Sequence, residues 1–148
     1  MKKAVKQDIK VRKARASDAP RIAVLAGELG YPSTTKEIKA RLGKLKPPRH
    51  AVLVAETSDG VVGWLHVTHS HLLEVPVRAE VNGLVVGGTA RGQGAGKRLL
   101  EAAERWARRK GCSCISVRSN VIRERAHRFY ERNGYEHYKT QKSFRKPL

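Results

Sequence analysis

Glycines and cations stand together directly before a strongly helical segment, in VVGGTARGQGAGKRLLEAAERWA from Val85 to Ala107. Where a strand passes into a helix through glycines, several backbone N–H groups lack partners and point toward one place. The helix dipole favours negative charge at the same place. Arg91, Lys97 and Arg98 add side-chain cations. These residues predict a cradle for a phosphate or pyrophosphate, with a glycine turn that binds nothing as the alternative.

Two well-known phosphate loops are excluded by the spacing of these glycines. A Walker-type nucleotide loop needs a glycine five positions before Gly96 and a serine or threonine after Lys97, and both are missing. The dinucleotide fingerprint spaces its glycines by two and then three positions, whereas those of GQGAG are spaced by two and two. The phosphate would therefore belong to another kind of ligand.

Histidines and cysteines are the other residues with chemistry of their own. His66, His69 and His71 stand close together, and the last two would project from one face of an extended strand. No carboxylate or cysteine stands at a matching offset, so we favour polar surface or groove lining over metal binding. Cys112 and Cys114 have no second pair, which favours small buried sulfurs in a strand over a metal or redox site.

The elements that position these residues are predicted in the order strand, two helices, three strands, helix, strand, helix and strand. We predict a basic tail over residues 1–8 and one domain over residues 9–148. The segments are IKVRKA, a helix capped by Ser17 or Asp18, KEIKARLGKL, HAVLVAET, VVGWLHVTHSH, AEVNGLVV after a loop around Pro76, GKRLLEAAERWARRKG, CISVRSN, RERAHRFYERNG and a last strand that carries Phe144.

Composition limits the classes of function. Lys and Arg total 31 against 13 for Asp and Glu, and the net charge of +18 predicts an anionic partner of some kind. The basic residues are scattered and aromatic residues are 5% of the chain, which disfavours a specific nucleic-acid-binding module. No run of about eighteen apolar residues is present, which predicts a soluble protein without a membrane partner. Two cysteines too close for an unstrained disulfide fit a reducing, cytoplasmic setting.

RGQGAG, from Arg91 to Gly96, resembles the acyl-CoA pyrophosphate loop of the GNAT N-acetyltransferase family, whose pattern is Gln or Arg, two residues, Gly, one residue, then Gly or Ala. Further segments similar to family landmarks follow the family's order, namely LVV at residues 84–86, SN at 119–120 and AHRFYERNGY at 126–135. The resemblance covers nearly the whole chain, and AEVNGLVV and SNVIRERAHRFYERNGY look most like small bacterial amine acetyltransferases, including the aminoalkylphosphonate type. It implies an α/β (α+β) GNAT fold with a single mixed, mostly antiparallel sheet of about six to seven strands, flanked by about four helices.

The resemblance implies transfer of an acetyl group from acetyl-CoA to a primary amine. The amine is mostly a cation at neutral pH, so a base must take its proton, and the leaving thiolate benefits from a proton donor. Glu80 matches the family glutamate that often acts as base through a water, and in an alternating strand it would share a face with Asn82 and Leu84. Tyr130 resembles the family tyrosine that donates to the departing sulfur. The alternatives are a surface carboxylate for Glu80 and a core aromatic for Tyr130.

The resemblance also implies which residues contact acetyl-CoA, through a strand edge, the loop backbone and an asparagine that could equally cap a helix. They are Leu84, Val85, Val86, Arg91, Gly92, Gln93, Gly94, Ala95, Gly96, Lys97 and Asn120. The segment before the loop departs from the family pattern, because Gly87 and Gly88 stand where relatives commonly have a polar residue and a proline. This departure predicts a less rigid connection between strand and loop.

The acceptor amine would occupy a groove between GELGYPSTT and the strand that carries Trp64, with Glu28, Tyr31, Trp64 and Glu74 as its lining. Acidic lining would favour a cationic amine, whereas the surrounding Arg and Lys would favour an acceptor with a phosphonate or carboxylate, and both stay open. We favour a small-molecule amine. The alternatives are a protein or RNA-associated target, and a non-catalytic protein that binds CoA or nucleic acid. A homodimer is also an open alternative.

Overall fold

The structure is a computed structural model that describes residues 8–148. The chain divides into two compact units, of which the first extends through Val117 and the second comprises Arg118–Leu148. Nearly all of the basic tail predicted for residues 1–8 lies outside the described residues. No helix among those residues combines the length and the apolar character needed to cross a membrane.

The first unit is built on one five-stranded sheet, in which the strands follow the order β1-β2-β3-β4-β5. Neighbouring strands are antiparallel except for β4 and β5, which are parallel. This is the mixed, mostly antiparallel sheet that the sequence predicts. The elements are β1 Lys10–Lys13, α1 Ala19–Leu29, α2 Thr35–Lys44, β2 His50–Thr57, β3 Gly60–Leu72, β4 Val75–Val86, α3 Ala95–Arg109 and β5 Ile115–Val117.

The second unit contains α4, Glu124–Arg132, and no strand. The prediction of six to seven strands is therefore wrong for the described residues, and so is the prediction of a last strand that carries Phe144. That segment, residues 136–148, is rich in polar residues, and its large apolar side chains are exposed, with Phe144 at 91%. Such a sequence has no apolar face to bury in a sheet.

The helices of the first unit cover both faces of the sheet. Buried residues of α1 and α2 pack in one cluster with Val54 and Val85, which pair in register with Trp64. On α3 the packing is different, because a Cβ atom added to Gly63 would lie 3.3 Å from Leu99. Successive residues of β3 face opposite sides of the sheet. Helices α1 and α2 therefore lie on one face and α3 lies on the other.

The β3–β4 hairpin is longer than the sequence predicts. Leu72 pairs with Val75, so the connection is a tight turn, and Pro76 lies inside β4 and not in a loop. A register shift between Ser70 and Leu72 accompanies the turn. Proline has no N–H to donate to the ladder, so within a strand it is tolerated at an irregularity of this kind.

Strand β4 contains a bulge at Asn82. Val81 pairs with Val67 and Gly83 pairs with His66, so Asn82 is one residue too many for the ladder. Beyond it the alternation changes phase, and Leu84 pairs with Leu65 on the face opposite Glu80. The prediction that Glu80, Asn82 and Leu84 share a face is therefore wrong for Leu84.

Candidate active site

The glycine loop joins β4 to α3 and contains two residues in the left-handed region. Gly92 has a φ of 81° and Gly94 a φ of 91°, which other residues adopt only with strain. A Cβ atom built on either glycine would meet no atom within 4 Å. The loop therefore has open space in front of it.

The N-terminus of α3 is capped by Gly94, whose lack of a side chain leaves the first turn without a side-chain cap. The first intrahelical bond runs from the Arg98 N–H to the Gly94 carbonyl at 3.1 Å. The N–H groups of residues 95–97 consequently have no acceptor within the helix. No acidic residue stands in this turn. The geometry suits an anion bound in the open space.

The connection before the loop is held at two points. The Gly87 N–H donates to the Val62 carbonyl at 2.8 Å, and the Gly88 N–H donates to Glu28 Oε1 at 3.3 Å. A Cβ on Gly87 would lie 3.2 Å from Leu25 of α1, so glycine permits this close approach. The sequence suggested a less rigid connection at these two glycines, whereas both are hydrogen-bonded to neighbouring elements.

The edge of β4 beside β5 is open along its second half. Strand β5 pairs only with residues 79–81 of β4, and residues 83–86, after the bulge, pair with β3 alone among the described strands. The Val86 carbonyl accepts a hydrogen bond from Arg91 Nε at 3.3 Å. This edge can take an extended chain as an added strand, next to the glycine loop.

Glu80 is buried on β4, with a relative exposure of 9%. It lies in register between Thr68 of β3 and Ser116 of β5, whose buried hydroxyl has no hydrogen-bond partner in the described structure. The Glu80 carbonyl accepts from Thr68 Oγ1 at 3.4 Å and from Asn82 Nδ2 at 3.3 Å, and Asn82 Nδ2 also donates to Thr68 Oγ1 at 2.9 Å. Glu80 is thus the buried member of a row of polar residues and does not lie on the surface.

A cavity of about 250 Å³ lies on the same face of the sheet, between α1, α2 and strands β2 to β4. Tyr31 and Trp64, which the sequence assigned to the acceptor groove, both line it, whereas Glu28 and Glu74 do not. Glu28 binds the Gly88 N–H instead, and Glu74 lies in the β3–β4 turn. The other lining residues are Ile22, Ala26, Leu29, Ser33, Ile38, Arg41, Leu42, Leu45, Val52, His66, Asn82 and Gly83.

Two histidines meet beside this cavity. His50 Nδ1 and His66 Nε2 are hydrogen-bonded at 3.0 Å, and their rings stack with centroids 5.3 Å apart. Burial lowers the pKa of His66 to about 4, with a smaller effect from His50, so the His66 imidazole is neutral at neutral pH. Sequence reasoning grouped His66 with His69 and did not single out His50. The odd spacing between residues 66 and 69 was the available signal that they face opposite ways.

The remaining histidines and the cysteines form no metal site. His69 and His71 contact each other edge to face, with ring centroids 4.4 Å apart. Cys112 and Cys114 are free thiols. Within residues 8–148, no group of three His, Cys, Asp or Glu side chains is arranged to hold a metal ion.

Tyr130 lies on α4 in the second unit, where its half-buried ring contacts Phe129 and Tyr135 with centroids 5.3 and 5.9 Å away. Burial raises the pKa of Tyr130 to about 12, with a smaller opposing effect from Arg123. The phenol is therefore protonated, as a proton donor must be, and it packs among aromatic rings as a core residue does.

Asn120 organises the turn that leads into α4. Its Oδ1 accepts from the Ile122 N–H at 3.2 Å, and its carbonyl accepts from the Arg123 N–H at 3.0 Å. His127 Nε2 lies 2.8 Å from the same carbonyl oxygen. The side chain therefore caps the turn before the helix and not the helix itself, whose N-cap is Arg123.

Known proteins are similar to this chain in sequence and in fold. The model of the acetyltransferase (GNAT) family matches residues 18–135. YhfO, an uncharacterised N-acetyltransferase of Bacillus subtilis, is 32% identical over 133 residues, which cover 85% of this chain and 89% of the relative. An aminoalkylphosphonate N-acetyltransferase of Salmonella typhimurium is 35% identical over 114 residues, which cover 76% of this chain and 72% of the relative.

Among solved structures, the aminoglycoside N-acetyltransferase AAC(6')-Iy in complex with CoA matches with a TM-score of 0.84. The match covers 96% of this chain and 97% of that chain at 16% identity, so it bears on the fold alone. The predicted GNAT fold is confirmed apart from the number of strands. The chain therefore belongs to the GNAT family and is an N-acetyltransferase, the class of enzyme whose cosubstrate is acetyl-CoA.

Proposed function

We propose that the protein transfers the acetyl group of acetyl-CoA to a primary amine of a small molecule. The observation that carries this proposal is the composition of β4. The strand bears the buried Glu80, then Asn82 and Gly83 of the cavity wall, then the open edge, and it ends beside the glycine loop. An acid–base residue, an acceptor cavity and a donor site are thus supplied by one short segment.

The residues present fit acetyl-CoA. We propose that the N–H groups from Gly92 to Lys97 bind its pyrophosphate, because those of the first helical turn lack acceptors in the helix and the space before them is open. The edge of residues 84–86 would bind the pantetheine arm in the manner of an added strand. Asn120 is a further proposed contact, taken from the family resemblance. When bound, acetyl-CoA supplies the acetyl group as a thioester.

The reaction converts an ammonium ion and a thioester into an amide, a free thiol and one released proton. The amine nitrogen must lose a proton before its lone pair can bond to the acetyl carbon, and the carbon–sulfur bond then breaks. We propose that Glu80 takes this proton, directly or through a water. Its position in the row with Thr68 and Ser116, and its low exposure, support the role. General base catalysis requires a carboxylate close to the amine that gives up the proton.

We propose that Tyr130 gives a proton or hydrogen bond to the sulfur that leaves. Tyr130→Phe removes the hydroxyl and keeps the ring that contacts Phe129 and Tyr135. We expect turnover to fall about a hundredfold, because general acids typically contribute that much or more, and CoA affinity to change little. Steady-state rates at saturating acetyl-CoA measure the effect. A variant that melts at a lower temperature, yet turns over normally per folded molecule, would assign Tyr130 to the core alone.

Free thiol and acetylated amine, formed in equal amounts, test the proposed activity. The purified protein is incubated with acetyl-CoA and a panel of primary amines, and both products are quantified. We expect stoichiometric formation with at least one small amine. Binding of CoA without acetylation of any amine would show a CoA-binding protein without turnover. Acetylation confined to added protein or ribonucleoprotein would favour the macromolecular target that the net charge of +18 also suits.

We further propose that residues 9–148 act as one domain and that the protein is cytoplasmic. The family model crosses the division after Val117, which supports a single functional domain. The free thiols of Cys112 and Cys114 suit a reducing compartment.

A further inference from the structure

We infer that the acceptor is a monoamine carried on an apolar body. A polycationic amine and an aminoalkylphosphonate fit the cavity less well. This inference rests on the proposed function and specifies the class of its acceptor. It is drawn from the lining, the size and the charges of the cavity between α1, α2 and the sheet.

The walls of the cavity are mainly hydrocarbon. Leucine and isoleucine side chains from the two helices and from the residue after α2 line it, together with Val52 of β2 and the ring of Trp64. They are Ile22 and Leu29 of α1, Ile38 and Leu42 of α2, and Leu45. Apolar walls favour an apolar ligand body because both surfaces leave water when the ligand binds.

The size of the cavity indicates how large a body it can enclose. Its volume is about 250 Å³, and it is partly open to solvent. An apolar protein cavity of about 150 Å³ holds one benzene molecule. The cavity therefore encloses an aromatic ring with a short chain, roughly ten non-hydrogen atoms by the same proportion. An aminoglycoside or another ligand with several rings would extend beyond it.

The charges of the lining argue against both ionic classes of acceptor. No Asp or Glu of residues 8–148 lines the cavity, so the second and third cations of a polyamine would find no carboxylate from this part of the chain there. Within the same range Arg41 is the one Lys or Arg of the lining, and it already contacts Glu37 Oε2 at 3.4 Å and Ser33 Oγ at 3.1 Å. Its side chain is 58% exposed, where ion pairs are weak, so it offers a phosphonate little. His66 is neutral and adds no charge.

The amine would bind at the polar end of the cavity, beside Asn82. Asn82 Nδ2 is already bound to Thr68 Oγ1 and to the Glu80 carbonyl, which leaves Oδ1 as the amide atom that can accept from an amine. Asn82 is also the lining residue nearest in sequence to Glu80 on the same face. The cavity therefore has a polar end next to the proposed base and an apolar end between the helices.

A panel of four amines tests the inference on the unmodified protein. The probes are 2-(4-methoxyphenyl)ethylamine, 2-phenylethylamine, 2-aminoethylphosphonate and spermidine, each assayed by thiol release from acetyl-CoA. We expect kcat/KM to be at least about tenfold higher for the two arylalkylamines than for the other two. An equal or higher value for the phosphonate or for spermidine would overturn the inference and leave the acetyltransferase function standing. Absence of thiol release with every amine, in this panel and in the wider one, would overturn both.

Arg41→Gln separates an anionic acceptor from an uncharged body. If Arg41 takes no part in recognition, the ratio of kcat/KM between the phosphonate and 2-phenylethylamine stays within about twofold. A selective loss of phosphonate turnover would show that the guanidinium binds an anion, which contradicts the inference.

Discussion

Glu80→Gln lowers the limiting rate about a hundredfold or more and leaves CoA affinity within about twofold. The substitution preserves the size of the side chain and its place in the row with Thr68 and Ser116. The rate falls because an amide cannot take a proton from the amine. Rates measured at saturating amine and acetyl-CoA provide the test.

A loss of stability would imitate a loss of catalysis at this site, because Glu80 is buried. Thermal unfolding of the variant separates the two, and rates are referred to the folded fraction. Glu136→Gln is a matched control, since it makes the same chemical change at an exposed residue of the second unit. Normal turnover in the Glu80 variant would remove Glu80 from the reaction.

Gly94→Val reduces the affinity for CoA at least about a hundredfold while the protein stays folded. Valine must either adopt the φ of 91°, at a strain of about 1–3 kcal/mol, or re-aim the N–H groups that begin α3. Its side chain would also enter the open space before the loop, where the anion would bind. Calorimetric titration with CoA measures the affinity, and circular dichroism shows the fold.

Gly60→Val is the control that isolates the strain from the binding. Gly60 has a φ of 96° and, like Gly94, open space where a Cβ would be, but it lies at the start of β3 and outside the glycine loop. Both variants should lose similar stability, and only Gly94→Val should lose CoA. Wild-type affinity in Gly94→Val would exclude the loop as the pyrophosphate site, and equal loss in both variants would point to global unfolding.

Local chemistry explains why much of the fold was predictable. Gly30 ends α1 with a φ of 101°, and Gly94 begins α3 with a φ of 91°, because glycine alone enters the left-handed region cheaply. The turn at Ser58–Gly60, between β2 and β3, and the alternation of these two strands likewise depend on near neighbours in sequence. Each of these features is determined within a few residues, so the sequence pattern could reveal it.

The features that were missed depend on residues far apart in the chain. The contact between His50 and His66 follows from the register of β2 and β3, which no local pattern determines. Glu28 faces the loop and not the cavity because α1 packs against the connection after β4. The cavity itself, and with it the chemical character of its lining, is defined only when two helices close over the sheet. Burial of Glu80 likewise required the assembled strands.

The extra residue at Asn82 has a consequence for the history of such proteins. A bulge bends its strand and increases the local twist, and here the ladder between β4 and β5 ends at Val81, immediately before the bulge. We expect deletion of Asn82 to let β4 pair further along its second edge, which would close the proposed site beside residues 84–86 to an added strand. We expect natural length variation to be found in the β3–β4 turn, and not here.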